Sequence, residues 1–307
     1  MSYAFVFPGQ GSQSVGMLSE LAESNTQVKE VFEEASDALG YNLWDLVQND
    51  ADGRLNQTDV TQPAMLAAGI AVYKTLTAQQ ALAPKFMAGH SLGEYTALVA
   101  SGALSLSQGV ALVAERGRLM QSAVPAGEGA MAAVLGLEDD QVVAVCENTA
   151  GIVEAVNFNS PGQVVIAGNK GAVEKAMEAA TDAGASKVVP LPVSVPSHCS
   201  LMQPAADKLA ETLSSMEMVM PTVPVLHNVH YSQAESVDEI KSLLVKQLYQ
   251  PVQWVKTVNT MKNDGVEKLF ELGPGKVLMG LNRRIDRKMP VQPVFDQASL
   301  EKAIASL

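Results

Sequence analysis

Phe86-Met-Ala-Gly-His-Ser-Leu-Gly-Glu94 is the most informative segment of the sequence for the fold. Its first three residues are apolar and indicate the end of a buried β-strand, whereas residues 94–101 favour a helix. Between them, Gly89-His-Ser-Leu-Gly93 fits the Gly-x-Ser-x-Gly pattern of a sharp turn between strand and helix. Glycines two positions before and after Ser91 suit such a turn, because the backbone passes close to itself there.

This turn makes Ser91 a candidate for a nucleophile. The helix after it directs its N-terminal amides toward the serine hydroxyl, where an oxyanion would form. A chain rich in glycine and serine matches five positions by chance, so the alternative is a purely structural strand-to-helix turn. The buried strand before the turn and the helix-forming run after it favour the nucleophile.

The composition is that of an ordinary globular protein without a basic surface. The 307 residues, 47% hydrophobic and 18% charged, suffice for one large domain or a core plus a smaller domain. A formal charge of −12 argues against binding to nucleic acids and to anionic membranes. Cys146 and Cys199 form neither a disulfide framework nor a metal-ligand spacing, so we expect no metal site.

We expect neither a signal peptide nor a membrane span in this sequence. The first residues have no basic region and too short an apolar run for a signal peptide, and no apolar run has the length of a membrane span. We therefore expect a cytoplasmic protein.

A second glycine-rich loop follows the first predicted strand, residues 3–7. Pro8-Gly-Gln-Gly-Ser-Gln13 lies at the C-terminal end of that strand, where open α/β sheets place their sites. The lysine and hydroxyl residue of a phosphate-binding loop are missing. We interpret the segment as a loop that lends a backbone N–H to a catalytic pocket, with a plain turn as the alternative.

Helical periodicity extends over residues 18–46, 58–77 and 107–123. In the second of these segments, Pro63 stands just inside the predicted helix start, and small apolar residues indicate a buried helix. In the third, Arg116 lies within the apolar face, whereas Arg118 points toward the polar side. A cation on an apolar face is costly unless it is paired.

Two interpretations of Arg116 stay open at this point. It is either satisfied by a protein carboxylate or by reaching the surface, or it is held ready for a substrate carboxylate, which its planar fork binds through two hydrogen bonds.

A change of composition at residues 125–129 marks a domain boundary. The elements predicted after it follow the order β-α-β-β-α-β: 130–137, 138–150, 152–158, 163–167, 171–183 and 187–192. This order is that of the ferredoxin-like split βαβ motif. We predict a subdomain of residues 125–194 inserted into a core made of residues 1–124 and 195–307.

His198 is the best candidate for a general base among the four histidines. It stands in an irregular, proline-flanked segment just before a predicted helix at 202–216, and a nucleophilic serine needs a base within hydrogen-bond reach. His90 is left as a neighbour of the site at most. The spacing of His227 and His230 could suggest a metal pair, but next to a strand-like run at 223–229 it places the two on opposite faces, which favours surface histidines.

The later residues include a predicted helix at 237–250, a buried strand at 268–272 and a basic cluster. The cluster consists of Arg283, Arg284, Arg287 and Lys288. It is either a solvated face or a docking patch for an acidic partner.

The motifs occur in a specific order along the chain. They are Phe7-Pro-Gly-Gln-Gly-Ser-Gln13, Thr61-Gln-Pro-Ala64, Gly89-His-Ser-Leu-Gly-Glu94, Arg116, Asn157-Phe-Asn-Ser-Pro-Gly-Gln163, Pro196-Ser-His-Cys199, Gln247-Leu-Tyr-Gln-Pro251 and Gly273-Pro-Gly275. Together they resemble the malonyl-CoA:acyl carrier protein transacylases of bacterial type II fatty-acid synthesis, from the first strand to about Arg284. The resemblance implies an α/β fold with an α/β-hydrolase-like core, a parallel sheet and an inserted ferredoxin-like subdomain.

The resemblance also implies a role for individual residues. Ser91 would be the nucleophile and His198 its base, with a backbone carbonyl of Gln247 orienting the base in place of an acidic residue. Arg116 would bind the malonyl carboxylate. The amides of Gln10 and Leu92 would form the oxyanion hole, and we expect Gln62 and Asn159 to take part in substrate binding.

The implied reaction is ping-pong transfer of a malonyl group from malonyl-CoA to acyl carrier protein, without a cofactor. We expect a monomer whose basic cluster at 283–288 docks the carrier protein. The competing hypotheses are an esterase or thioesterase built on the same turn, and a carrier-protein-binding scaffold that has lost activity.

Overall fold

A computed structural model describes residues 2–193 and 195–307, which contain nine strands, thirteen α-helices and a short 3-10 helix (Ser200–Met202). The strands are β1 (Tyr3–Phe7), β2 (Phe86–Gly89), β3 (Gly129–Leu135), β4 (Val153–Ser160), β5 (Gln163–Asn169), β6 (Lys187–Pro190), β7 (Val225–Leu226), β8 (Lys268–Leu272) and β9 (Val291–Val294). The helices are α1 (Ser19–Ser24), α2 (Thr26–Leu39), α3 (Leu43–Asn49), α4 (Thr58–Gln79), α5 (Leu92–Ala100), α6 (Leu106–Ala123), α7 (Asp139–Glu147), α8 (Lys170–Asp182), α9 (Gln203–Ser215), α10 (Val237–Gln247), α11 (Trp254–Asn263), α12 (Val277–Ile285) and α13 (Gln297–Ile304).

The first sheet is parallel and has the strand order β7-β2-β1-β8-β9. Its central strand, β1, is apolar and buried apart from its first residue, as expected for a strand covered on both faces. Because Phe7 lies opposite Gly89, the loops after β1 and β2 emerge side by side. A Cβ on Gly9 would lie 2.5 Å from the carbonyl oxygen of His90, so the two loops are in direct contact.

The second sheet is antiparallel, with the order β4-β5-β3-β6, and all its strands come from residues 129–190. Helices α7 and α8 pack on it around a separate apolar cluster. Its outer strand β4 joins the rest of the molecule through backbone hydrogen bonds, from Phe158 N to Val252 O and from Val252 N to Val156 O.

The predicted element order β-α-β-β-α-β is therefore present, and the α/β class with a parallel sheet is confirmed. The division into residues 1–124, 125–194 and 195–307 stays a prediction.

Several predicted boundaries were wrong for identifiable reasons. The helical pattern at 18–46 is broken into three helices, because Asn25 is extended and Gly40 adopts a left-handed conformation. Helix α4 begins at Thr58, so Pro63 is its sixth residue rather than one just inside the start. The strand predicted at 223–229 is reduced to β7, and α11, α12, β9 and α13 were not predicted.

Helix α4 is the centre of the larger apolar core. It is buried on nearly all sides, as its small apolar residues predicted, and packs against α2, α5 and α6. None of the helices in residues 2–193 and 195–307 is both long and apolar enough to span a bilayer.

Candidate active site

The turn between β2 and α5 is closed so tightly that only glycine fits at two of its positions. A Cβ on Gly89 would lie 1.8 Å from the carbonyl carbon of Gly93, and a Cβ on Gly93 would lie 2.0 Å from the oxygen of Phe7. Ser91 itself has φ 52° and ψ −110°, a conformation that a residue with a Cβ adopts only when its surroundings impose it. Here Ser91 N donates a hydrogen bond to Asn228 Oδ1 at 2.7 Å.

Ser91 and His198 are in hydrogen-bond contact. The distance from Ser91 Oγ to His198 Nε2 is 2.7 Å, and His198 Nδ1 lies 2.6 Å from the main-chain oxygen of Gln247. Because a carbonyl can only accept, Nδ1 carries the proton and Nε2 is left to accept from the serine hydroxyl. The segment predicted to carry the base thus brings it to the serine, although the two residues are far apart in sequence.

The surroundings of His198 keep its imidazole neutral. Burial, together with the nearby Arg116 guanidinium, lowers the pKa of His198 to about 3. His198 is therefore in its basic form throughout the neutral pH range.

Arg116 lies inside the molecule, with 1% of its surface exposed. Its Nη1 donates to Gln62 Oε1 at 2.8 Å and its Nη2 to Gln247 Oε1 at 3.0 Å. Nη2 is also 3.5 Å from Ser91 Oγ, and the guanidinium carbon lies 5.2 Å from the centre of the Tyr95 ring. Both close acceptors are neutral amides, so the guanidinium neither reaches the surface nor has a carboxylate among these partners.

A cavity of about 140 Å³ lies beside these three residues, between the two sheets. Its polar wall includes Ser91, His198 and Arg116, and its apolar wall includes Met120 from α6 and Met131 from β3. The remaining lining residues are Gln10, Thr58, His90, Leu92, Asn157, Leu191, Val193, Val195 and Ser197. A small acyl group with a negative end matches this combination of a nucleophile, a cation and an apolar wall.

The two residues predicted to form an oxyanion hole, Gln10 and Leu92, both line this cavity. Leu92 is the first residue of α5, and helix N-terminal amides have no partner within the helix. Among the described residues, neither backbone N–H donates a hydrogen bond to another group. Both N–H groups therefore lack an internal hydrogen-bond partner at residues that line the cavity.

Two other predicted site residues lie behind the cavity wall. Gln62 supports Arg116 and contacts Met120 Sδ, and Asn159 Oδ1 lies 2.7 Å from His90 Nε2. The cavity itself is lined by Asn157 instead of Asn159. Burial lowers the pKa of His90, so it faces the site as a neutral ring.

The basic cluster is exposed on and after α12, with Arg284 Nη1 donating to Gln163 Oε1 at the start of β5. It does not line the cavity. Cys146 and Cys199 are both free and buried.

A buried polar group beneath the turn was not predicted from the sequence. Glu94, His227 and Asn228 are each at most 1% exposed, so the interpretation of His227 as a surface histidine was wrong. His227 Nδ1 lies 2.7 Å from Glu94 Oε1, and Asn228 Nδ2 donates to Gly89 O at 2.7 Å. The position of Glu94 in the first turn of an apolar helix was the available signal, since the same reasoning had identified Arg116.

Comparison with known proteins gives one consistent family. The model of the acyl transferase domain matches residues 4–293. The malonyl CoA-acyl carrier protein transacylase of Escherichia coli (strain K12) is 52% identical over 304 residues, covering 98% of this chain and 98% of that protein. The protein of the same name from Bacillus subtilis (strain 168) is 43% identical over 308 residues, covering 99% and 96%.

Solved structures agree over the full length. A malonyl-transacylase in complex with a type II PKS acyl-carrier protein superposes with a TM-score of 0.99 at 50% identity, covering 100% of both chains. An acyl carrier protein S-malonyltransferase from Vibrio cholerae has a TM-score of 0.96 at 51% identity, covering 99% of this chain and 100% of that one.

Proposed function

This chain belongs to the acyl transferase domain family, and we propose that it moves a malonyl group from malonyl-CoA to the phosphopantetheine thiol of an acyl carrier protein. The proposal rests on the placement of Ser91, His198 and Arg116 around a single small cavity. Relatives that match nearly the whole chain are named for this activity. Malonyl transfer to the carrier protein supplies the malonyl units of fatty-acid synthesis.

In the first half-reaction, Ser91 Oγ attacks the thioester carbonyl of malonyl-CoA and gives its proton to His198 Nε2. The oxyanion that forms accepts hydrogen bonds from the amides of Gln10 and Leu92, each worth about 3 kcal/mol in such sites. When the intermediate collapses, the carbon–sulfur bond breaks and the CoA thiolate takes the proton from His198. The product is a malonyl ester of Ser91.

In the second half-reaction, His198 accepts the proton of the carrier-protein thiol, and the sulfur attacks the ester carbonyl. The same amides hold the second oxyanion. Ser91 then leaves and recovers the proton, which restores the resting enzyme. This is a ping-pong mechanism, because CoA departs before the carrier protein reacts.

Arg116 selects the acyl group in this mechanism. Its hydrogen-bond acceptors in the resting site are neutral amides, so the malonyl carboxylate is the anion that contacts the buried guanidinium directly. An acetyl group offers no such partner. Because Arg116 lowers the pKa of His198, pairing Arg116 with a carboxylate also favours proton transfer to His198.

The finer description of the molecule is part of the same proposal. We propose that the parallel sheet belongs to an α/β-hydrolase-like core and that residues 125–194 are a ferredoxin-like insertion, supported by the antiparallel order β4-β5-β3-β6. We also propose a cytoplasmic monomer that needs no cofactor, since the malonyl group arrives already activated as a thioester.

The exposed basic cluster formed by Arg283, Arg284, Arg287 and Lys288 is the proposed docking patch for the carrier protein. In a chain with a formal charge of −12, it is a local basic surface that attracts an acidic partner.

Release of CoA from malonyl-CoA, measured with and without acyl carrier protein, tests the proposed function. We expect about one equivalent of CoA per enzyme without carrier protein, and continuous turnover when it is added. Continuous CoA release without an acceptor would instead identify a hydrolase. Absence of any release would identify an inactive carrier-binding scaffold.

A further inference from the structure

Glu94 is a buried carboxylate to which the mechanism above gives no role. It lies in the first turn of α5, three residues after Ser91, and is 1% exposed. Its Oε1 faces His227 Nδ1 at 2.7 Å, and its Oε2 accepts from Asn228 N at 2.9 Å and from Gln247 Nε2 at 2.8 Å. Burying a carboxylate is costly unless it is fully hydrogen-bonded, and here three nitrogen groups supply the partners.

The contact with Gln247 determines which way its side-chain amide points. Gln247 Nε2 donates both to Glu94 Oε2 and to Ser91 O, at 2.8 and 2.9 Å. Because both of those atoms can only accept, the amide nitrogen faces them and the amide oxygen faces Arg116 Nη2. A reversed amide would set its NH₂ group against the guanidinium donors and leave Glu94 Oε2 against an oxygen.

Resting on the proposed malonyl transfer, we infer that Glu94 is a positioning residue for malonyl recognition, acting through the Gln247 amide on Arg116. Asn228 depends less on Glu94, because its side chain is held independently by Ser91 N and Gly89 O. Loss of Glu94 therefore affects the recognition of the malonyl carboxylate more than the reactivity of Ser91.

Two substitutions at Glu94 separate these effects. Glu94→Met keeps the approximate volume and removes the acceptor. Glu94→Gln keeps an acceptor for Gln247 Nε2, with its NH₂ facing His227 Nδ1, but removes the charge. His227→Asn is the matched control, since His227 contacts the other carboxylate oxygen and leaves the contact with Gln247 in place.

The readout is a recognition ratio, defined as kcat/KM for malonyl-CoA divided by the rate constant for acetylation of Ser91 by p-nitrophenyl acetate. The ester carries no carboxylate and so does not use Arg116. We expect the ratio to fall about tenfold in Glu94→Met and about threefold in Glu94→Gln, because a charged acceptor holds the amide more firmly than a neutral one. The fall in this ratio should come from a higher KM for malonyl-CoA.

His227→Asn should lower the thermal midpoint of unfolding and leave the recognition ratio within twofold of wild type. Equal losses with both substrates in the Glu94 variants, or the same fall in His227→Asn, would overturn the inference and leave a structural role. If Glu94→Met does not fold, Glu94→Gln decides, and an unchanged ratio there overturns the inference. Failure of the wild-type protein to accept malonyl from malonyl-CoA would instead overturn the proposed function.

Discussion

At the scale of single residues, the site combines a neutral base with an unpaired cation. Burial and Arg116 together keep His198 in its basic form, and Arg116 in turn has only amide oxygens as close partners. Such a site is suited to bind an anion. In the resting arrangement no carboxylate is among the hydrogen-bond partners of the guanidinium, and the malonyl carboxylate of the proposed substrate would take that place.

Arg116→Ala tests this assignment. We expect kcat/KM for malonyl-CoA to fall about 10- to 150-fold, the range for a lost charged hydrogen bond, while acetyl transfer is kept or rises. Arg118→Ala is the matched control, because Arg118 lies on the same helix but is exposed and pairs with Glu115. Steady-state rates with malonyl-CoA and acetyl-CoA measure the effect, and an equal loss on both would contradict the role in binding the carboxylate.

The sequence identified the residues that carry chemistry better than those that hold them in place. Ser91 and Arg116 stand out locally, the first by its flanking glycines and the second by its apolar neighbours. His198 and Gln247 were found through their motifs. Glu94, His227 and Asn228 were missed because the groups that these side chains contact lie 133 to 153 residues away, and no local pattern reports such contacts.

At the scale of elements, the strand–turn–helix unit of β2 and α5 was predictable because its constraints are local. Gly89 and Gly93 lie so close to other backbone atoms that neither position has room for a Cβ. By contrast, β7 is only two residues long and forms through pairing with β2. The sequence pattern at 223–229 therefore predicted a strand that was too long. Pro63 in the interior of α4 is another case in which tertiary burial overrides local preference.

Gly93→Ala should destabilise the protein by about 3 kcal/mol or more, because the new methyl group would meet the Phe7 carbonyl and force β1 and α5 apart. Gly280→Ala is the matched control in α12, where no atom beyond the neighbouring helix backbone lies within 4 Å of the added Cβ, and a gain of up to about 1 kcal/mol is expected. Urea denaturation measures both. A Gly93→Ala variant as stable as wild type would contradict the close packing of the turn.

Glu271 in β8 holds the N-terminus of α12, the helix that carries part of the basic cluster, and this contact depends on pH. Its carboxyl oxygens accept from Leu278 N and Met279 N in the first turn of α12, and burial raises the pKa of Glu271 to about 7. Because the folded-state value lies above the ordinary 4.5, its contribution to stability is fully present below about pH 4.5 and is lost as pH rises through 7.

Comparing the free energy of unfolding of wild type and Glu271→Gln between pH 4.5 and 8.5 tests this contact. The difference in favour of wild type should shrink with rising pH by a total on the order of 3 kcal/mol. Parallel pH profiles for the two proteins would show that Glu271 does not titrate in this range.

At the scale of the whole molecule, the site exists only because two sheets meet. The parallel sheet supplies the turn with Ser91, and the antiparallel sheet supplies part of the apolar wall, including Met131. The class of both sheets could be predicted from the order of the elements. The contact that β4 makes through Val252 could not, because no sequence pattern in either segment indicates it.

The proposed docking patch is tested at this scale by charge reversal. Arg283→Glu combined with Arg287→Glu should raise KM for the carrier protein about fivefold at low salt, and less at high salt because screening weakens the attraction. CoA release from malonyl-CoA should be unchanged. The control reverses the exposed Lys29 and Lys208, which alters net charge equally. Equal effects of the two double variants would mean that net charge, rather than this patch, governs docking.

In the proposed mechanism, Ser91 carries the malonyl group between donor and acceptor. Mass spectrometry of peptides from the protein after brief exposure to malonyl-CoA detects this intermediate, with Ser91→Ala as the control. We expect a mass gain of one malonyl group on the peptide that contains Ser91, its absence in the variant, and its loss when acyl carrier protein is added. A malonyl adduct on another residue, or none while transfer proceeds, would contradict the account.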